Sequence, residues 1–247
     1  MIAQRQRVFV WRGGWALKHV QPPVSDGLPG APRFRDSEYP HHAFAPHIRA
    51  SAPGSRYIRG MTTARPRIAF QGIPGAFSED AIRVFWGPDT IPVPCESFSS
   101  MLAAVRSGAA DGAVLPVENM VVGPIASALD ALDDFSVGLN LGGTTDVRIV
   151  HALMGIGTAT LEQITLITSH PVALSQCRRF LQAFGARVEP FFDTAGAAKM
   201  VGERRDPTIA AVASHAAAVR YGLTILSDAI QDDPENWTRF LRIESGP

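Results

Sequence analysis

The chain has 247 residues, enough for one or two domains with a buried core, and its 46% apolar content is ordinary for a globular protein. Formal net charge is zero, but residues 1–65 carry ten basic and three acidic side chains while the remainder carries thirteen and twenty, so the acidic body excludes nucleic acid as an expected partner. Two cysteines, Cys95 and Cys177, are too few for a disulfide framework or a cysteine zinc site, and no apolar run reaches the roughly 18 residues of a membrane span.

Residues 1–65 hold nine arginines, with seven prolines between Pro22 and Pro53 and no sustained strand or helix period. Such a segment buries too little to offset its ordering entropy, so disorder is expected. Val8-Phe9-Val10-Trp11 is cut short by Arg12, which argues against a signal peptide. An Arg-rich, acid-poor leader fits an organellar transit peptide, but serine is scarce. Met61, which opens Met61-Thr62-Thr63-Ala64-Arg65-Pro66, is the expected working start. His41, His42 and His47 then have no metal-binding role. The cysteine usage fits a cytoplasmic location.

From residue 67 strands alternate with helices. Residues 67–71 read as a short strand ended by Gly72. A Gly/Pro turn leads to a helix from about Ser78, with Glu79 and Asp80 in the first turn, where the helix dipole favours acids. Residues 98–106 are a second helix, stopped by Gly108. Residues 113–117 form a buried strand, and Pro116 places it near an edge or its end. Residues 125–132 are helical and 147–153 form another strand. A strand over 164–168 feeds a helix that begins near Pro171, a favourable first helical residue, with Cys177, Phe180, Leu181 and Phe184 as its buried stripe. Residues 188–192 and 195–203 repeat the unit. A strand over 208–213, a helix over 215–221 ended by Gly222, and a last strand over 237–243 complete the chain. This alternation predicts an α/β protein with largely parallel sheets.

The chemistry-bearing candidates lie at strand ends. Gly75, Ala76, Phe77 and Ser78 either bring backbone amides to an anion at a helix N-terminus or form a plain turn with Ser78 as N-cap. The loop is no dinucleotide fingerprint, since the third glycine and the later ribose-binding acid are missing. Glu118 and Asn119 leave the carboxyl end of a strand, where open α/β sheets bind ligands, or are merely a solvated loop. Ser169 either caps the next helix or donates to a carboxylate. Gln176, taken alone, is a solvated helix residue. Adjacent strand residues point to opposite faces, so Thr238 and Arg239 do not both meet a ligand unless the strand is bulged. His151 and His215 read as hydrogen-bonded structural histidines rather than bases.

Gly72-x-x-Gly75-Ala76-Phe77-Ser78, Pro116-Val117-Glu118-Asn119, Ile149-Val150-His151, Ser169-His170-Pro171 with Gln176-Cys177, Thr194-Ala195-Gly196-Ala197-Ala198, residues 210–214 with Tyr221-Gly222-Leu223, and Asn236-x-Thr238-Arg239-Phe240 occur in this order. As a set they resemble the prephenate dehydratase catalytic domain across roughly residues 66–243. The resemblance implies an α/β, two-lobed, type 2 periplasmic-binding-protein-like fold with the active site in the inter-lobe cleft. Lobe 1 would span about 66–145 and 229–243, and lobe 2 about 146–228. It implies loss of water and carbon dioxide from prephenate to give phenylpyruvate, in phenylalanine biosynthesis, with no metal, flavin or nicotinamide. Thr238 matches the threonine that protonates the departing hydroxyl. Asn119, Ser169 and Gln176 match residues that bind or orient substrate, and Glu118, Thr194 and Arg239 match residues that line or support the pocket. Relatives are often dimers or tetramers, so a homodimer is the expected assembly.

Two positions depart from the family's pattern. Met120 stands where Ser or Thr usually follows Glu-Asn, removing a hydroxyl worth about 0.5–1.5 kcal/mol of hydrogen bonding. Val172 replaces an amide residue after Ser-His-Pro. Only seven residues follow Phe240, against roughly 70–80 for the ACT domain that binds phenylalanine in many relatives, so a free-standing enzyme without built-in phenylalanine inhibition is expected. Three alternatives share the scaffold. A prephenate decarboxylase is disfavoured because such relatives lack the threonine matching Thr238. An arogenate dehydratase differs only in the side-chain amino group of its substrate. A non-catalytic homologue that binds small acids is either a solute-binding protein, which would call for a secretory signal, or a regulatory or degenerate dehydratase, for which Met120 would account.

Overall fold

The computed structural model describes residues 65–246, which lie within one compact unit. The expectations on residues 1–64 (disorder, the start at Met61, the idle histidines) fall outside the described residues.

The first lobe opens with β1 (Arg67–Gln71), whose Ile68 and Phe70 face one side and Ala69 the other, the period of a strand buried on both faces. There follow α1 (Ser78–Trp86), β2 (Ile91–Cys95), α2 (Phe98–Arg106), β3 (Gly112–Asn119), the short β4 (Gly123–Pro124), α3 (Ala126–Phe135) and β5 (Leu139–Arg148). The chain then crosses to the second lobe: β6 (Ala152–Gly155), β7 (Leu166–Ser169), α4 (Pro171–Gln176), α5 (Arg178–Phe184), β8 (Arg187–Pro190), α6 (Thr194–Arg204), β9 (Ile209–Ala213), α7 (His215–Tyr221) and β10 (Thr224–Ser227). It returns to the first sheet as β11 (Trp237–Ser245).

The first sheet is six-stranded, in the order β2-β1-β3-β11-β5 with β4 on β3; the second is five-stranded, β10-β6-β9-β7-β8. Each is sandwiched between helices. Ile68, Phe70 and Val114 pack toward Ala81 and Ile82 of α1, while Ala69, Ala113 and Leu115 pack toward Met101 and Leu102 of α2. In the second lobe, Ala211 and Ala213 meet α6 and α7, and Ala210 and Val212 meet Cys177 and Leu181. The parallel runs β2-β1-β3 and β8-β7-β9 end their strands at one edge of each sheet. The loops at these two edges meet. Ser214 Oγ donates to the Gly75 carbonyl at 2.6 Å, and the Tyr221 hydroxyl donates to the Pro74 carbonyl at 2.5 Å.

Several expectations need correction. The sheets are mixed rather than largely parallel, because β11 runs antiparallel to β3 and β5, and β6 antiparallel to β9 and β10. The expected strand over 147–153 is the end of β5 and the start of β6, broken at 149–151, because the apolar run crosses from one lobe to the other. Pro116 lies in a central strand. Its missing N–H is accommodated by a bulge: Phe240 pairs with Pro116 and Arg239 with Glu118, leaving Val117 as the extra residue. The single helix expected after Pro171 breaks at Cys177 into α4 and α5. The edge strands β2 and β10 were not legible. Prolines at 92 and 94 mask the first, and the second is only four residues long.

Candidate active site

Two short segments join the lobes, residues 149–151 and residues 228–236. They run side by side: Ile149 N–H donates to the Asn236 carbonyl at 2.8 Å and Ile230 N–H to the His151 carbonyl at 2.9 Å. Beside this crossing, β3 delivers Asn119 and β11 delivers Thr238 as a register pair. From the second lobe, Gln176 arrives at the last residue of α4.

These side chains form one buried chain of hydrogen bonds. Asn119 Oδ1 accepts from the backbone N–H groups of Val121 (3.0 Å) and Val122 (3.2 Å), which fixes the amide's orientation. Asn119 Nδ2 therefore faces Thr238 Oγ1 at 3.0 Å, the Trp237 carbonyl at 2.9 Å and Asn236 Oδ1 at 3.0 Å, two hydrogens shared among three acceptors. Gln176 Nε2 donates to Asn119 Oδ1 at 3.2 Å, and Gln176 Oε1 lies 2.9 Å from His151 Nε2. The chain thus runs from Thr238 in the first lobe to Gln176 in the second and returns to the crossing at His151. Asn119, Gln176, His151 and Asn236 are each less than a tenth exposed, and Thr238 stands at 9%. Because Thr238 Oγ1 accepts from Asn119, its own hydrogen is left for another acceptor.

The loop before α1 reaches the same place from the first lobe. The Phe77 ring sits edge-on to His151, centroids 5.5 Å apart. Gly75 N–H is taken by Glu79 Oε1 at 2.9 Å, so the helix's own carboxylate occupies the amide expected to cradle an anion. Ala76 is half-buried. Ser78 is buried but does not cap; the N-cap is Phe77, with no side-chain hydrogen bond.

Other candidates stand apart from this chain. Glu118 and Arg239 are the neighbouring register pair, so they project from the opposite face of the sheet from Asn119 and Thr238. There the Arg239 guanidinium binds Asp146 through Nε (2.8 Å) and Nη2 (2.9 Å), binds Glu118 at 3.1 Å, and covers the Trp237 ring at 4.8 Å. The Asp146 carboxylate, more than Glu118, raises its pKa. The alternation reasoned from sequence separates Thr238 from Arg239, because the bulge falls one residue later. Ser169 is fully buried and donates to the Val212 carbonyl at 2.5 Å, so its hydrogen is committed to the adjacent strand. It does not cap α4 either: His170 Nδ1 accepts from Val172 N–H at 3.2 Å. Thr194 opens α6 behind its N-cap Asp193, at the strand-end edge of the second lobe. Met120 is largely exposed, with Val121 and Val122, on the turn after β3, and its N–H donates to the Trp237 carbonyl at 3.0 Å.

His151 is the buried, hydrogen-bonded histidine that its sequence suggests, whereas the local reading of Gln176 as a solvated helix residue is corrected, because its burial depends on the two lobes meeting. Burial drives the His151 pKa below the ordinary 6.5, against a smaller upward pull from Gln176. His151 Nδ1 and Asn236 Nδ2 are buried without a hydrogen-bond partner among the described residues.

Two α/β lobes joined by paired crossing segments, with polar groups gathered between them, define the type 2 periplasmic-binding-protein-like class. Residues 68–247 match the family described as prephenate dehydratase, and the chain belongs to that family. It is similar to arogenate dehydratase 2 of Petunia hybrida, 40% identical over 184 residues that cover 74% of this chain and 46% of the relative. The chain thus spans about half the length of the curated relatives it matches. Among solved structures it is similar to the prephenate dehydratase of Arthrobacter aurescens in complex with L-Phe, at 30% identity and TM-score 0.68, covering 73% of this chain and 61% of that one. It is also similar to a structure described as GqqA, a novel type of quorum quenching acylase, at 39% identity and TM-score 0.65, covering 73% and 64%.

Proposed function

We propose that the chain catalyses loss of water and carbon dioxide from prephenate to give phenylpyruvate, with Thr238 as proton donor and Asn119 and Gln176 as the groups that hold it and the substrate. The observation that carries this reading is the 3.0 Å bond from Asn119 Nδ2 to Thr238 Oγ1, at the meeting of the two lobes. In the reaction the C1 carboxylate leaves as carbon dioxide, its bonding pair enters the ring, and the C4–O bond breaks. The departing oxygen takes the Thr238 proton, water leaves as the ring becomes aromatic, and Oγ1 regains a proton from solvent. A threonine is a weak acid, so a donor on its oxygen matters: the Asn119 amide supports charge on Oγ1 as the proton moves.

Arogenate is the second reading, favoured by the similarity to plant proteins named arogenate dehydratase. It would give phenylalanine by the same bond changes. The test is to incubate the purified chain with each substrate and identify the product by mass spectrometry, beside Thr238→Ala and Thr238→Ser. Aromatic product is expected, with turnover reduced about 10²–10⁴-fold by alanine and partly restored by serine. A decarboxylated, non-aromatic product, or full activity in the alanine variant, would overturn the proposal.

A further inference from the structure

His151 is the one member of the buried chain that touches neither Thr238 nor Asn119, yet its protonation state follows from backbone groups some distance away. Val121 and Val122 N–H can only donate, so the Asn119 atom facing them is Oδ1. An amide nitrogen must then face that oxygen from Gln176, which turns Gln176 Oε1 toward His151 Nε2, 2.9 Å away. An oxygen acceptor there requires hydrogen on Nε2. The other ring nitrogen, Nδ1, is buried without a partner among the described residues, so it is the bare nitrogen; a hydrogen there would be an unsatisfied buried donor.

We infer that His151 is a positioning residue, held as the neutral Nε2–H tautomer, which locks the Gln176 amide and through it the Asn119 amide that supports Thr238. The main chain of His151 is pinned on both sides by the returning segment: its N–H donates to Gln231 Oε1 at 3.1 Å and its carbonyl accepts from Ile230 N–H. The ring packs near-perpendicular to Phe77. The imidazole is therefore fixed to the crossing itself and ties Gln176, from the second lobe, to Asn119, from the first. Without the Nε2–H donor, the Gln176 amide is free to rotate. Its flipped form sets oxygen against Asn119 Oδ1, and the donor order reaching Thr238 is lost.

This role rests on the dehydratase reading, and the test separates the two. A glutamine side chain places its amide nitrogen near the Nε2 position of histidine, whereas asparagine reaches only the Nδ1 position. His151→Gln is expected to keep kcat within about threefold, and His151→Asn to lose about ten- to hundredfold in kcat with KM little changed. In a Gln176→Leu background the two variants should differ no further, since the path through Gln176 is gone. Melting curves for each variant exclude simple unfolding. Independently of turnover, long-range proton–nitrogen correlation spectra of histidine-labelled protein, assigned through His151→Gln, should show a neutral ring protonated at Nε2 near neutral pH. Equal losses in both variants, retention by asparagine instead of glutamine, or a hydrogen on Nδ1 would overturn the inference. Should the unaltered chain turn over neither substrate, the dehydratase reading falls and the tautomer alone decides whether His151 is held as described.

Discussion

Thr238 and Arg239 are adjacent in sequence, yet they belong to different environments. Thr238 looks into a buried amide chain, while Arg239 sits in a half-exposed carboxylate pair on the far face. An ion pair so placed is screened by solvent and contributes under about 1 kcal/mol, so its removal should alter stability little beside the loss expected in turnover from Thr238. His151 makes a residue-scale prediction about acid. Its folded pKa is lowered by burial, so below its ordinary 6.5 the unfolded chain takes up a proton that the fold rejects. Stability therefore falls as pH drops from 6.5 toward the lowered value, and His151→Gln should lose less. Urea midpoints at about pH 7 and about pH 5.5 check this; equal slopes with and without the histidine would refute it.

At the scale of elements, β3 carries both the core and the site. Ala113, Val114 and Leu115 are fully buried against helices on both faces, and the same strand ends at Glu118 and Asn119. The bulge at Val117 lets Pro116 sit mid-sheet while Thr238 and Asn119 stay in register. Leu115→Ala should cost about 2–5 kcal/mol, read as a lower urea midpoint with unchanged slope. Ser97→Ala, which removes the capping box of α2 at an exposed position, should cost only about 1 kcal/mol. A reversal of this order would mean that the sheet interior is not where the fold's stability resides.

Across the whole molecule, the meeting of the lobes depends on a close backbone approach. Gly75 has φ +97°, and a Cβ there would lie 3.0 Å from Ala217 Cα and 3.2 Å from its Cβ. Ser214 and Tyr221 donate to carbonyls of the same loop. Gly75→Ala combines backbone strain with a clash between lobes and should destabilise by about 1–3 kcal/mol, seen as a lower melting temperature. It should also weaken turnover, since Phe77, two residues on, packs on His151. A melting temperature equal to that of the unaltered chain would show that this approach is not needed for the fold.

The sequence by itself determined the alternation of strands and helices and most of their places. Local chemistry sets these: β-period burial in residues 67–71, Gly108 and Gly222 as stops, and Pro171 as a helix start. The ordered motifs marked the family, and with it the two-lobed class. Only the tertiary structure decided strand direction, the break at 149–151, and the bulge that seats Pro116, because these depend on which strands become neighbours. It also decided which polar residues meet. Asn119, Gln176 and Thr238 are separated by 57 and 119 positions along the chain from Asn119, and nothing local indicates that their side chains share hydrogens. Ser169 and the Gly75 amide looked equally available in sequence, but the fold had already supplied their partners, the Val212 carbonyl and the Glu79 carboxylate. A buried polar group must find a partner, and which partner it finds is a property of the packed molecule.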